Sequence, residues 1–208
     1  MMRGPRIPKK FTITYLLIAL NVIVYIYTSI LSGSPWEISQ QVINQYGQVN
    51  SYVINSGGYW QLFTSMFVHV SITHIFGNML FLLIFGLRAE EMFDTDEYIL
   101  VYLLSGLAGN LLTLVPTLLG AGEVISAGAS GAIFGMFGAV VIYSRRAFSQ
   151  SIITALIFAF FLFIINIGPT VNIFAHAGGL VVGLLMGYFL AATRKARPTY
   201  RYGYSYGT

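Results

Sequence analysis

Six long apolar segments divide this chain, and they constrain its fold more than any other feature of the sequence. A helix needs about 20 apolar residues to cross the roughly 30 Å hydrocarbon core of a bilayer. Only 9% of the 208 residues are charged, against roughly 25% in a soluble domain. The sequence therefore predicts an all-α, polytopic membrane protein with six transmembrane helices. The predicted spans lie near residues 11–31, 68–88, 98–118, 128–144, 148–167 and 172–192.

Positive charge lies on one side of this arrangement. The basic residues are Arg3, Arg6, Lys9, Lys10, Arg88, Arg145, Arg146, Arg194, Lys195, Arg197 and Arg201. The positive-inside rule then predicts that both termini are cytoplasmic. We expect a multi-pass protein of the plasma membrane. Membrane topology accounts for the net charge of +4, so the basic residues do not indicate nucleic-acid binding. The absence of cysteine excludes disulfides and thiolate chemistry.

The spans predict a three-part organisation of the chain. Residues 1–10 form a basic cytoplasmic N-terminus, residues 11–192 a six-helix core, and residues 193–208 a basic, tyrosine-rich cytoplasmic tail. The first span is longer than the 7–15-residue apolar region of a signal peptide, which favours an uncleaved helix. Within the core, residues 32–66 form the one long connection, and a loop of this length is often functional or partly helical.

Polar side chains occur at one predicted membrane depth on three different spans. His69, His74 and Asn78 lie in the first turns of span two, Ser130 at the start of span four, and His176 near the start of span six. All three spans enter from the outside in this topology. Polar residues inside a membrane are costly and usually functional, so their shared depth predicts a site in the outer part of the bundle.

Helical spacing predicts how these spans pack. His74 and Asn78 are four residues apart and therefore share a helix face. Small residues at such spacings let transmembrane backbones approach closely. They lie on span four (Gly128, Gly131, Gly135 and Gly138) and on span six beside His176 (Gly179, Gly183 and Gly187). We therefore expect spans four and six to pack together and to bring Ser130 within hydrogen-bonding reach of His176.

This arrangement predicts nucleophilic catalysis without a cofactor. A serine hydroxyl needs a neighbouring base, for which His176 is the candidate. His74, Asn78 and the Ser130 backbone N–H could stabilise the oxyanion. No acidic residue lies inside a predicted span, which favours a Ser–His dyad over a triad. Span four runs only from Gly128 to Ser144, about 26 Å at ~1.5 Å per residue, so its outer end could lie below the surface where water enters.

Other interpretations of the same residues remain open. Ser130 among glycines could be a packing residue, Asn78 could join two helices, and His69 could be an interfacial side chain that faces water. His69, His74 and His176 could hold a metal, although no carboxylate or cysteine completes a zinc site. At the level of function, the alternatives are a non-catalytic protein that binds membrane proteins and a small transporter or channel.

Short motifs on spans two, four and six contain the polar residues just described. They are His69-x4-His74-x3-Asn78, Gly128-Ala129-Ser130-Gly131, and Ala175-His176-Ala177-Gly178-Gly179 with Gly183. At these residues the sequence resembles the rhomboid intramembrane serine proteases. Gly86-Leu87-Arg88-Ala89-Glu90 is similar to the family's Gly-x-x-x-Glu element. The resemblance covers roughly residues 11–192.

The resemblance implies a rhomboid-like bundle that cleaves transmembrane protein substrates near their extracytoplasmic ends. Ser130 would be the nucleophile and His176 the base, with His74, Asn78 and the Ser130 backbone as the oxyanion hole. The absence of a large extra domain is consistent with a minimal prokaryotic form. Two positions depart from the family pattern: Gln61 follows Trp60 where many members have Arg, and Phe134 stands where a Tyr often stacks on the histidine.

Overall fold

The computed structural model describes residues 13–148 and 171–193 of the chain. Within these ranges the chain forms eight helices and two short strands. They are α1 (Ile13–Ser32), α2 (Gln40–Tyr46), β1 (Gln48–Val49), α3 (Asn50–Ser56), α4 (Gln61–Thr64), α5 (Ile72–Met92), α6 (Thr95–Leu118), β2 (Ile125–Ser126), α7 (Ser130–Phe148) and α8 (Ile173–Thr193).

The helices confirm the prediction of an all-α membrane protein. By length and composition α1, α5, α6 and α8 can each cross a membrane, and α7 contains a shorter apolar stretch, Ser130–Arg145. Large apolar side chains such as Ile30 and Phe76 are about three-quarters exposed (74% and 70%), as expected of lipid-facing positions. The predicted fifth span (148–167) and the two predicted cytoplasmic segments (1–10 and 193–208) lie, apart from a terminal residue, outside the described residues. The count of six helices thus stays a prediction.

The second spanning helix begins later and ends later than its sequence predicts. Ser71 has extended backbone angles and its side chain accepts a hydrogen bond from the N–H of His74, so α5 begins at Ile72 rather than at residue 68. A serine cap of this kind satisfies an N–H that has no partner within the helix. His69 consequently lies in the preceding loop and not in the first turn of the helix, which corrects the prediction. At its other end α5 includes Glu90.

Glu90 is therefore an acidic residue within a spanning helix, contrary to the sequence prediction. Its Oε1 atom accepts hydrogen bonds from the backbone N–H groups of Ile13 and Thr14, the latter at 2.9 Å. These N–H groups lack partners in the first turn of α1. Glu90 lies 16 residues after His74, about 24 Å along the helix at ~1.5 Å per residue. It ties α1 to the end of α5 that lies far from the polar site.

The long first connection is partly helical, as expected, and it is fixed to the bundle. β1 pairs antiparallel with β2, with Gln48 opposite Ser126 and Val49 opposite Ile125. Gln61 is buried, and its side-chain amide accepts from the Val49 N–H and donates to the Asn44 carbonyl, both at 2.9 Å. The loop is thus held beside the segment that leads into α7.

Glycines let α6, α7 and α8 pack with their backbones in contact. A Cβ atom added at Gly179 would overlap the carbonyl oxygen of Gly131, and one at Gly183 would overlap that of Gly135. On α6, a Cβ atom added at Gly109 would likewise overlap the carbonyl oxygen of Ala175. The close packing of spans four and six is therefore confirmed, and the start of α8 is wedged between α6 and α7.

Candidate active site

Ser130 and His176 meet where α7 and α8 begin. Ser130 is the first residue of α7, and His176 lies in the first turn of α8. Their side chains are hydrogen-bonded, with 2.9 Å between Ser130 Oγ and His176 Nε2. The close glycine packing of the two helices produces this proximity. A hydroxyl and an imidazole in this geometry form a nucleophile with an adjacent base.

Gly128 shapes the turn that leads into Ser130. Its φ angle is +126°, a conformation that L side chains rarely adopt. Its N–H donates to the carbonyl of Ser65 at 2.9 Å, which anchors the turn to the segment before α5. A Cβ atom added here would lie 2.9 Å from His74 Nε2. Glycine is therefore required both by the backbone angle and by the imidazole beside it.

Phe134 and the surrounding helices define the orientation of His176. The Phe134 ring stacks on the imidazole, with centroids 4.3 Å apart and an interplanar angle of 18°. Phe134 lies one turn after Ser130, so the same face of α7 holds the hydroxyl and the stacking ring. His176 Nδ1 is buried and has no hydrogen-bond partner among the described residues. Within that part of the chain, no carboxylate orients the imidazole.

His74 and Asn78 lie on the face of α5 opposite this pair. Asn78 donates one side-chain N–H to the backbone carbonyl of His74 at 2.9 Å. An amide carries two N–H groups, so the second remains for another acceptor. A cavity of about 670 Å³ separates α5 from the starts of α7 and α8. Its lining includes the predicted site residues Ser130, His176, His74, Asn78, Gly128 and Phe134.

His69 packs against His74 and does not line the cavity. It is fully buried, which contradicts its interpretation as an interfacial side chain that faces water. Its Nδ1 atom lies 3.2 Å from the Phe67 carbonyl, and its ring meets His74 edge-on with centroids 5.2 Å apart. Across residues 13–148 and 171–193, no three His, Asp or Glu side chains are grouped as metal ligands would be.

Gly131 and the α8 glycines lie behind Ser130 and His176. A Cβ atom added at Gly131 would approach the Ala175 carbonyl oxygen to 3.1 Å, and Gly179 and Gly183 press on α7 as described above. These residues have no functional groups of their own. They set the distance between the two helices, which is the packing role predicted for them.

Asn172, which directly precedes α8, is a site residue that no sequence motif indicated. Its side-chain amide donates to Thr113 on α6 and to Ser126 in β2, each at 2.8 Å. An asparagine next to an apolar segment is a recognisable helix-start signal. Its two partners lie 59 and 46 residues away, and no local pattern reveals such pairings.

Comparisons with known proteins find relatives that cover most of this chain. The family model described as "Rhomboid domain" matches residues 56–193. "Putative rhomboid protease YdcA" of Bacillus subtilis (strain 168) is 30% identical over 198 residues, which cover 91% of this chain and 93% of that protein. "Rhomboid protease GluP" of the same organism is 32% identical over 191 residues, covering 88% of this chain and 35% of GluP.

A plant relative shows the same similarity over a shorter stretch. "RHOMBOID-like protein 6, mitochondrial" of Arabidopsis thaliana is 35% identical over 144 residues, which cover 66% of this chain and 46% of that protein. The chain therefore spans less than half of the length of GluP and of this plant protein, and nearly the whole length of YdcA.

Proposed function

The chain belongs to the rhomboid family, and on that premise we propose that it is an intramembrane serine endopeptidase that cleaves transmembrane helices near their extracytoplasmic ends. One observation carries the proposal: Ser130 Oγ and His176 Nε2 lie 2.9 Å apart at a cavity within a bundle of membrane-spanning helices. A packing serine or a binding module has no need of a base placed on its hydroxyl.

In the proposed acylation step, Ser130 Oγ attacks the scissile carbonyl carbon while His176 Nε2 takes the hydroxyl proton. The new C–O bond converts the carbonyl oxygen into an oxyanion. Collapse of this intermediate breaks the C–N bond, and the imidazolium returns its proton to the leaving amine. Water then attacks the acyl-enzyme with His176 again as base, which releases the carboxyl product. Stacking on Phe134 would hold the imidazole in place through both steps.

The proposed oxyanion hole consists of the second Asn78 N–H, His74 and the Ser130 backbone N–H. Ser130 begins α7, so its N–H is unpaired within the helix and the positive end of the helix dipole lies at the same point. Each donor aimed at a developing oxyanion contributes about 3–4 kcal/mol to the transition state. Removing one donor should therefore lower the rate far more than it lowers stability.

The substrate would be a helix that is locally unwound. The carbonyls of an intact helix are engaged in its own hydrogen bonds, which hold them away from a nucleophile. Helix-breaking residues near the scissile bond are thus the proposed substrate preference. We further propose a plasma-membrane location in a prokaryotic cell with both termini cytoplasmic. The distribution of basic residues supports this topology. The similarity to a bacterial protein over 93% of its length supports the prokaryotic origin.

The test is cleavage of a model transmembrane substrate by purified protein in liposomes. Wild-type protein should cut the substrate, and Ser130→Ala and His176→Ala should not. A serine-reactive fluorophosphonate should label wild-type protein and leave Ser130→Ala unlabelled. Val181→Ile, a change on the exposed side of α8, serves as the matched control.

Three results distinguish the proposal from its rivals. Cleavage that persists in folded Ser130→Ala protein would rule out the assigned nucleophile. A wild-type protein that binds the substrate without cutting it would indicate a non-catalytic relative. Solute flux into the liposomes, unaffected by Ser130→Ala, would indicate a transporter or channel.

A further inference from the structure

Asn172 joins three parts of the bundle through a single side chain. Its Oδ1 atom accepts the N–H of Ala175 at 3.1 Å, which caps α8. Its Nδ2 group donates to Thr113 Oγ1 and to Ser126 Oγ, each at 2.8 Å. Both N–H groups and the carbonyl oxygen of the amide are therefore engaged, and each reaches a different element: α6, β2 and α8.

The connected elements are those that place the reacting groups. The Asn172 backbone carbonyl accepts the first helical hydrogen bond from the His176 N–H at 3.2 Å, so the cap and the imidazole share one helical turn. On the other side, Ser126 lies four residues before Ser130 in the same segment. Asn172 therefore bonds at once to the turn that contains His176 and to the strand that leads into Ser130.

Among the residues that cap helices well, asparagine alone meets the three requirements together. Thr113 Oγ1 already donates to the Gly109 carbonyl at 2.9 Å, so it must accept here. An ionised aspartate has no N–H to offer it, and serine has a single, shorter donor. Glycine contacts set the spacing between α7 and α8, but they are van der Waals contacts without the directionality of a hydrogen bond. The two amide donations supply that restraint.

We propose that Asn172 is a positioning residue for His176: its amide clamps the start of α8 to α6 and β2 and so holds the imidazole on Ser130. This inference rests on the proposed function, because it assigns a role in the same reaction. Loss of the clamp should let the first turn of α8 shift. A misplacement of about 1 Å at a reacting group lowers rates on the order of 10²-fold.

The experiment compares Asn172→Ala with a matched buried amide. Asn50 also makes three side-chain hydrogen bonds, accepting from Gln48 Nε2 and donating to the Thr113 carbonyl and Thr117 Oγ1. Its contacts hold the first loop and do not reach α8. Fluorophosphonate labelling of Ser130 is measured for Asn172→Ala, Asn172→Ser and Asn50→Ala below their melting temperatures, together with kcat and KM for a transmembrane substrate.

We expect the fluorophosphonate to label Asn172→Ala on the order of 10²-fold more slowly than wild type. For the transmembrane substrate, kcat should fall by a similar factor while KM stays unchanged. Asn50→Ala should label at the wild-type rate despite losing stability. Asn172→Ser should regain part of the melting temperature, because serine caps helices well, without regaining the rate. A labelling rate that simply follows the melting temperature across the three variants would overturn the positioning role.

Hydrogen exchange provides a readout that does not depend on activity. The amides of Ala175 and His176 should exchange faster in Asn172→Ala and remain protected in Asn50→Ala. If wild-type protein fails to label while this exchange pattern is found, the proposed function is wrong and the clamp is real. If wild-type protein labels and Asn172→Ala matches it in rate and exchange, the clamp alone is refuted.

Discussion

Gly179→Ala tests whether the contact between α7 and α8 sets the catalytic distance. A Cβ atom at residue 179 would overlap the carbonyl oxygen of Gly131. The backbones must therefore move apart by roughly 1.5 Å to regain an ordinary van der Waals separation. Gly131 directly follows Ser130, and Gly179 lies three residues after His176. The same movement would stretch the 2.9 Å bond between Ser130 Oγ and His176 Nε2 beyond hydrogen-bonding range.

The magnitude separates this effect from a loss of folding. Overpacking costs about 1–3 kcal/mol, whereas alanine is the better helix former by about 1 kcal/mol. The net loss of unfolding free energy is therefore about 0–2 kcal/mol, which leaves a protein of ordinary stability, about 5–15 kcal/mol, folded. The rate should nevertheless fall on the order of 10²-fold, because the displacement acts on the reacting groups.

The assay combines three measurements on Gly179→Ala protein: thermal unfolding, fluorophosphonate labelling of Ser130 and cleavage of a transmembrane substrate. Val181→Ile is the control, since it adds one methyl group to the same helix at a residue that is 54% exposed. The control should keep the wild-type rate. A folded Gly179→Ala protein that labels and cleaves at the wild-type rate would refute the argument that backbone contact sets the catalytic distance.

Three pairs of substitutions test the oxyanion hole, the stacking ring and the contact of Glu90 with α1. Asn78→Ala removes one oxyanion donor and should lower kcat about 10²–10³-fold. His69→Ala should lower kcat less. Equal losses of kcat for the two variants in kinetic assays would contradict the oxyanion assignment. Phe134→Leu loses the ring stacking, worth about 0.5–1.5 kcal/mol, and its kcat/KM should fall by the corresponding factor. Phe134→Tyr keeps the ring and should retain a kcat/KM near that of wild type. Equal kcat/KM values for the two variants would exclude a role for the ring. Glu90→Ala should reduce the unfolding free energy by about 1–3 kcal/mol, because the N–H groups of Ile13 and Thr14 lose their acceptor. Glu91→Ala loses only an exposed pair with Arg88 and should change thermal unfolding little. A similar shift in both variants would refute the stabilising role of the Glu90 contact with α1.

Helix boundaries show where local sequence rules succeed and where they fail. The apolar length of each segment predicts α1, α6 and α8 to within about three residues, in the usual range for such boundaries. For α5 the Ser71 cap overrides the hydropathy pattern and moves the start past His69. A cap is a specific hydrogen bond, whereas hydropathy averages over many residues. His69 was therefore assigned to the wrong element even though its motif was recognised.

Polar contacts between distant segments show the second limit. The glycine spacing on α7 and α8 predicts that these helices meet, because close approach needs small side chains at helical intervals. It does not predict that the Asn172 amide reaches both Thr113 and Ser126, or that Gln48 and Asn50 hydrogen-bond inside the first loop. Such pairs depend on the relative height and rotation of elements that are far apart in the chain.

The sequence by itself determined the membrane environment, the order of the motifs and the residue types able to react, because hydrophobic length and helical spacing are properties of single segments. Only the tertiary structure decided that Ser130 and His176 form a hydrogen bond, that His69 lies behind the cavity rather than in it, and that Asn172 joins three elements. The physical reason is that a hydrogen bond depends on tenths of an ångström. Distances this fine, between residues 46 apart in the chain, arise only when the packed helices fix one another.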